Sequence, residues 1–298
     1  MKITFNEEIA GALHFERPIV ALESTVISHG LPHPRNLDTA LHLEQVIRDA
    51  GAIPATIAIF DGEILVGLSR EQIEHLATDT NVRKVSTRDL PIVAARRLTG
   101  ATTVATTALI AHRAGINVFA TGGIGGVHRG NAHDVSADLP ELSRTPIIVV
   151  CSGAKAILDL NATREWLETY GVTVLGWKCD RVPAFYSAGS SLAVDERVET
   201  AEEVSRIADA RRELGLSAAL LVTVPVPEDS QIDATEVETL IEAALTEGDV
   251  RGILGKDLTP FLLNELSQKS GGKTLAANVA LLENNARTAA QIAIALNY

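Results

Sequence analysis

Short, unbroken apolar runs recur along this chain at a regular beat, each followed by a stretch of helical periodicity. Ile19 to Leu22, Asn117 to Thr121, Ile147 to Cys151, Val172 to Leu175 and Ala218 to Val224 are too short for helices and show no polar alternation. Strands apolar on both faces must be covered on both, which is the condition of a parallel sheet between two helical layers. The intervening segments supply those layers. Leu37, Ala40, Leu41, Val46 and Ile47 lay an apolar stripe along a helix from about Asn36 to Ala50, closed by Gly51. Further helices are predicted over Val104 to Ala114, Ala201 to Leu214, Ala234 to Leu245 and Leu275 to Leu296. Aromatic residues are 4% of the chain against 46% hydrophobic, so the core is filled with Ala, Val, Leu and Ile, as such sheets are.

One segment breaks the parallel pattern. Asp61-Gly62 stands between Ala55 to Phe60 and Glu63 to Leu68, a strong hairpin signal, so the sheet contains an antiparallel pair. The fold class is therefore α/β, a three-layer α/β/α unit with a mixed, mainly parallel sheet. Ser69 with Gln72 reads as a capping box, Asp89 with Pro91 opens a short helix toward Leu98, and the Gly- and Pro-bearing residues after Leu22 read as a loop. No linker, repeat or low-complexity tract divides residues 1–298, which are read as one domain.

Charge narrows the function classes. The formal net charge is −12 with no basic face in view, so general nucleic-acid binding is excluded and an anionic ligand must be met by local cations. Cys151 and Cys179 lack metal-ligand spacing and read as reduced structural thiols. The first eight residues form no signal-peptide core, and no apolar run reaches the ~18 residues of a membrane span. A soluble, cytoplasmic protein with no membrane partner is expected.

In such folds ligands bind beyond the carboxyl ends of the parallel strands, and polar residues gather there. Glu23 follows one strand, Gly122 another, and Ser152-Gly153-Ala154-Lys155 a third. The run from Gly122 to Gly130, with His128 and Arg129, reads either as a backbone cradle for phosphate or as a tight crossing between strands. Glu23 reads as a partly desolvated acid or as a turn residue. Asp134 and Asp138 suit a hard cation or sugar hydroxyls, or are exposed loop carboxylates; His133 reads as a surface residue. Lys155 reads as an enclosed amine that can attack a carbonyl carbon, or as a salt-bridged structural lysine. The glycine run gives no dinucleotide-binding register, and Gly271-Gly272-Lys273-Thr274 lacks the strand and the earlier glycine of a P-loop.

Several long, uncommon motifs stand together here: Ala21-Leu22-Glu23-Ser24-Thr25 with Ser28-His29-Gly30-Leu31-Pro32, Lys84-Val85-Ser86 with Arg88-Asp89-Leu90, the run Ala120 to Arg129, Asp134 to Leu139, Ser152 to Lys155, and Pro183-Ala184-Phe185-Tyr186. Over nearly the whole chain they resemble the pseudouridine-5'-phosphate glycosidases, which are related to the indigoidine-synthase A-like proteins. The resemblance implies that Lys155 forms an imine with the substrate and that Glu23 is the proton donor. It further implies substrate contacts at Lys84, Val104, Ser136, Ala137 and Asp138, one manganese ion per subunit at Asp134, and pocket positions at His128 and Asn278. The implied protein is a homotrimer that reversibly splits pseudouridine 5'-phosphate, a small-molecule substrate, into uracil and ribose 5-phosphate. A related sugar-phosphate C-glycosidase or lyase, and a non-catalytic sugar-phosphate binder, are the other readings. The chain departs from the family pattern at Thr87, where a second arginine is common, and at Asp180-Arg181-Val182.

Overall fold

The computed structural model describes residues 2–187, 189–253, 255 and 258–296. The chain opens with β1 (Ile3–Phe5), α1 (Glu7–His14), β2 (Ile19–Leu22), α2 (Arg35–Asp49), β3 (Ile53–Phe60), β4 (Glu63–Val66) and α3 (Arg70–Thr78). Next come β5 (Arg83–Val85), α4 (Leu90–Arg96), β6 (Gly100–Thr102), α5 (Val104–Arg113), β7 (Val118–Ala120), β8 (Val127–His128), β9 (Asn131–Val135) and α6 (Asp138–Leu142). They are followed by β10 (Ile148–Cys151), β11 (Leu158–Asp159), α7 (Leu160–Thr169), β12 (Thr173–Trp177), β13 (Glu196–Val198), α8 (Ala201–Glu213) and β14 (Leu220–Thr223). α9 (Ala234–Val250), α10 (Leu258–Lys269) and α11 (Lys273–Ala295) complete the order.

The main sheet runs β1-β4-β3-β2-β7-β10-β14-β12-β13, with β6 paired to β3 and β5 to β6. Every step from β3 to β13 is parallel, and the residues of β2, β7, β10 and β14 are buried throughout. Helices cover both faces, so neither side of these strands meets water. The hairpin at Asp61-Gly62 forms as the dipeptide predicts: β3 and β4 pair antiparallel from Phe60↔Glu63 to Ile57↔Val66. Both turn residues take positive φ, 48° at Asp61 and 80° at Gly62. The capping box at Ser69 and Gln72 is present.

Three differences from the sequence reading have physical causes. The segment after Leu22 is not an open loop, because Val26–Gly30 winds into a π-helical turn whose Ile27 is buried against α2 and α3. α1 and α7 have only two or three turns each and carry too few periods to stand out. β8, β9 and β11 form a separate 3-stranded sheet whose strands are too short and polar to read as such. Among the described residues no helix is long and apolar enough to cross a membrane.

α11 lies along β2, β7 and β10 and is bound to them by a polar residue at its centre. Asn285 is fully buried, and its Nδ2 donates to the Thr121 carbonyl at 2.9 Å and to Ser152 Oγ at 3.2 Å. Asn285→Ala strands those acceptors in the core, and is expected to lower the unfolding free energy by about 1–3 kcal/mol. Urea denaturation measures this; an unchanged midpoint would show that the tie contributes nothing.

Candidate active site

β2, β7 and β10 are neighbours in register, with Leu22 opposite Ala120 and Ala120 opposite Val150. The chain therefore leaves the sheet at nearly one level in three places, with Glu23 beside Thr121 and Ser152 beside Gly122. Beyond them opens a cavity of about 260 Å³. Its wall includes every residue to which the resemblance gives a role: Glu23, Lys84, Val104, His128, Asp134, Ser136, Ala137, Asp138, Lys155 and Asn278. β5 supplies Lys84, α5 Val104, β8 His128, β9 Asp134, α6 Asp138 and α11 Asn278.

Glu23 is only 8% exposed, and two hydroxyls fix its carboxyl group. Thr25 Oγ1 donates to Oε2 and Thr121 Oγ1 to Oε1. A hydroxyl can also turn to accept, so this pair holds the carboxyl in place with or without its proton. The next residue anchors the backbone. Ser24 Oγ donates to the Ile57 carbonyl at 2.7 Å and accepts from the Thr102 amide at 2.8 Å, locking Glu23 to β3 and β6.

Lys155 sits on a turn stitched to the glycine run. Its amide donates to the Ile124 carbonyl at 3.1 Å, its carbonyl accepts from the Leu158 amide at 3.0 Å, and Ile124 bridges Ala154. Gly153 makes the bend at φ 82°, where an added Cβ would lie 2.5 Å from the Pro183 carbonyl. Cys151 beside it is not a competing nucleophile, because complete burial pushes its thiol up to about 12.

For two amides of the run the structure gives a protein partner. The Ile124 amide donates to Gly153 and the Gly125 amide to Asp138 Oδ2 at 2.8 Å, so these amides are not open to a phosphate. Small size is what the run supplies. A Cβ on Gly123 would lie 2.6 Å from the Phe185 ring, and one on Gly125 2.6 Å from Ser136 Cβ and 2.7 Å from Asp138 Oδ2. Asp138 is buried, its Oδ1 accepting from the Ala105 amide at 2.9 Å, so it is not the exposed loop carboxylate of the bland reading. Arg129, read as a phosphate cation, lies outside the wall with its guanidinium bonded to Glu238 and to two backbone carbonyls. Among the described residues, Lys84 and Arg88 are the lysine and arginine that line the cavity besides Lys155. Lys273 is bonded to Glu236 at 2.7 Å, after a helix and not a strand, which disposes of a P-loop.

Thr121, Thr25 and Asn285 were not assigned from the sequence. Thr121 and Thr25 lie inside long motifs, and Asn285 is legible only as a carboxamide amid the alanines of a core helix. His133 is exposed, as read, and the departures at Thr87 and Asp180 to Val182 fall outside the cavity wall. Among the described residues no group of three or more His, Cys, Asp or Glu could hold a metal ion. Asp134, half-buried at the wall, is one carboxylate facing open space, which fits a hard cation that keeps most of its water.

Comparisons with known proteins agree over the whole length. The family model described as indigoidine synthase A like protein matches residues 8–295. Pseudouridine-5'-phosphate glycosidase of Caldanaerobacter subterraneus subsp. tengcongensis is 50% identical over 297 residues, 99% of this chain and 97% of the relative. The enzyme of that name from Geobacillus kaustophilus is 50% identical over 293 residues, 98% of this chain and 97% of its own. Among solved structures, an indigoidine synthase A-like protein of Thermotoga maritima superposes with a TM-score of 0.90 at 39% identity, covering 98% of this chain and 95% of its own. A prealnumycin C-glycosynthase in complex with ribulose 5-phosphate gives 0.91 at 40% identity, covering 99% and 96%.

If close approach is what the glycines serve, Gly125→Ala should destabilise the fold by about 1–3 kcal/mol. Gly11→Ala, in α1 with nothing within 4 Å, should not. Thermal melts of both variants give the comparison, and equal behaviour would contradict the packing explanation.

Proposed function

The chain belongs to the indigoidine synthase A-like family, and on that footing we propose that it reversibly cleaves pseudouridine 5'-phosphate to uracil and ribose 5-phosphate. One observation carries the reading: Lys155 and Glu23, which lie far apart in sequence, share one cavity wall at the ends of strands β10 and β2, which flank β7. The names of the relatives and the sugar phosphate in the glycosynthase complex support it.

The bond to be broken joins two carbons, so no lone pair on the leaving atom can take a proton, as it does in ordinary glycosidases. An amine supplies the missing route. Glu23 gives its proton to the ribose ring oxygen as the ring opens, and Lys155 Nζ bonds to the anomeric carbon. The nitrogen lone pair then forms the C=N bond while the carbon–carbon pair passes to the base, whose ring carbon takes a proton. Water hydrolyses the imine, returning the amine and releasing ribose 5-phosphate. Thr25 and Thr121 hold the Glu23 carboxyl throughout. Lys84, assisted by Arg88, offsets the phosphate charge within a molecule of net charge −12. Val104, Ser136, Ala137 and His128 shape the sugar site, and the Asn278 carboxamide offers a donor and an acceptor to the base.

The reading includes a manganese ion, one per subunit, which Asp134 would hold with water supplying most of the other ligands. Such an ion would orient substrate hydroxyls. It also includes a homotrimer acting in the cytoplasm on this small molecule. The glycosynthase neighbour favours a second reading, in which the base is another carbon-linked ring; relative turnover of several C-nucleotides separates the two.

Uracil release from pseudouridine 5'-phosphate should be observed with manganese and fall on chelation. With ribose 5-phosphate, borohydride should label Lys155, and Lys155→Ala should abolish both label and turnover; labelling elsewhere would overturn the mechanism. Thr121→Val removes one donor from Glu23, and should lower kcat about tenfold to a hundredfold with little change in KM.

A further inference from the structure

Arg129 follows β8 and is the cation that the sequence offers to a phosphate, yet the fold uses it otherwise. Nε donates to the Leu158 carbonyl at 3.1 Å and Nη2 to the Ala156 carbonyl at 3.0 Å. Nη1 donates to Glu238 Oε1, and Nη2 also to Oε2 at 3.1 Å. The side chain is 25% exposed, so these bonds are partly shielded from water. A planar guanidinium can serve three partners in one plane; a lysine ammonium cannot reproduce that fork.

The partners matter by position. Ala156 and Leu158 follow Lys155 on the turn that presents its amine, a turn whose other end is held by Ile124. Glu238 belongs to α9, α9 packs on α10, and Thr259, Pro260 and Leu263 of α10 form part of the cavity wall. One side chain thus joins the nucleophile's turn to a wall of the pocket. From this geometry we propose that Arg129 is a positioning residue for the imine chemistry, fixing the Lys155 turn and the α9–α10 wall in one relation. The proposal rests on the reading of Lys155 as the nucleophile. It explains why an arginine one residue from a pocket histidine is turned away from the ligand.

The test uses the full chain carrying Arg129→Lys or Glu238→Gln. Two readouts are taken: backbone hydrogen exchange over residues 152–160 and 258–269, and kcat, KM and the rate of borohydride trapping with ribose 5-phosphate. Arg129→Lys should speed exchange in both segments and lower kcat and trapping by about tenfold to a hundredfold, with KM within about threefold. Glu238→Gln, which keeps the carbonyl bonds, should loosen 258–269 more than 152–160 and cost less in kcat. Unchanged exchange in 152–160 on Arg129→Lys would overturn the proposal, as would a raised KM at unchanged kcat, the mark of a substrate ligand. Should Arg129→Lys fail to fold, Glu238→Gln decides by the same two readouts, and wild-type exchange and kcat then count against the tie. If the wild-type chain neither traps ribose 5-phosphate nor releases uracil, the Lys155 reading fails by itself, and the exchange data still decide the tie.

Discussion

Everything reactive in this protein depends on the parallel register of β2, β7 and β10. Hydrogen bonding sets these strands side by side with Leu22, Ala120 and Val150 abreast, so the residues that follow emerge together at one edge of the sheet. Glu23 meets Thr121 across 98 residues of sequence for this reason alone. A one-residue slip of β2 would exchange the faces of all its side chains and carry the carboxyl away from its donors. Because both faces of these strands are packed with apolar residues, such a slip would also bury the wrong set, and the core itself holds the register.

An edge that gathers so many polar groups must satisfy them, and it does so with side chains from other layers. Asn285 answers the carbonyl after β7 and the hydroxyl after β10, Ser24 and Thr102 answer each other and Ile57, and Asp138 takes one amide from α5 and one from the glycine run. These bonds divide the residues of the site into two classes. Asp138 on the wall, with Thr121 and Ser24 behind it, is occupied in holding the site together, whereas Lys155, Asp134, His128 and Asn278 line the space where a ligand would lie. Rigidity of the first class is what lets the second keep a fixed geometry.

Much of this is legible in the chain. The unbroken apolar runs gave the parallel strands, Asp61-Gly62 the antiparallel pair, and the strand ends the neighbourhood of the site. Thr121 and Asn285 were missed because they act through partners distant in sequence, and Thr25 because nothing local distinguishes a threonine that holds a carboxylate from one that caps a turn. Arg129 and the Gly125 amide were misread for the complementary reason. Each has the chemistry of an anion site, and only the positions of Glu238 and Asp138 reveal that this chemistry is already spent.

By itself the sequence determined the layered α/β class, the hairpin, the family, and which side chains carry reactive groups, because periodicity, turn chemistry and motif are local properties. Tertiary structure decided the rest: that Glu23 and Lys155 share a wall, that glycines 123 and 125 stand in close contact with Phe185, Ser136 and Asp138, and that Arg129 braces the lysine's turn. Those facts are distances between segments far apart in the chain, and strand register and side-chain packing set such distances.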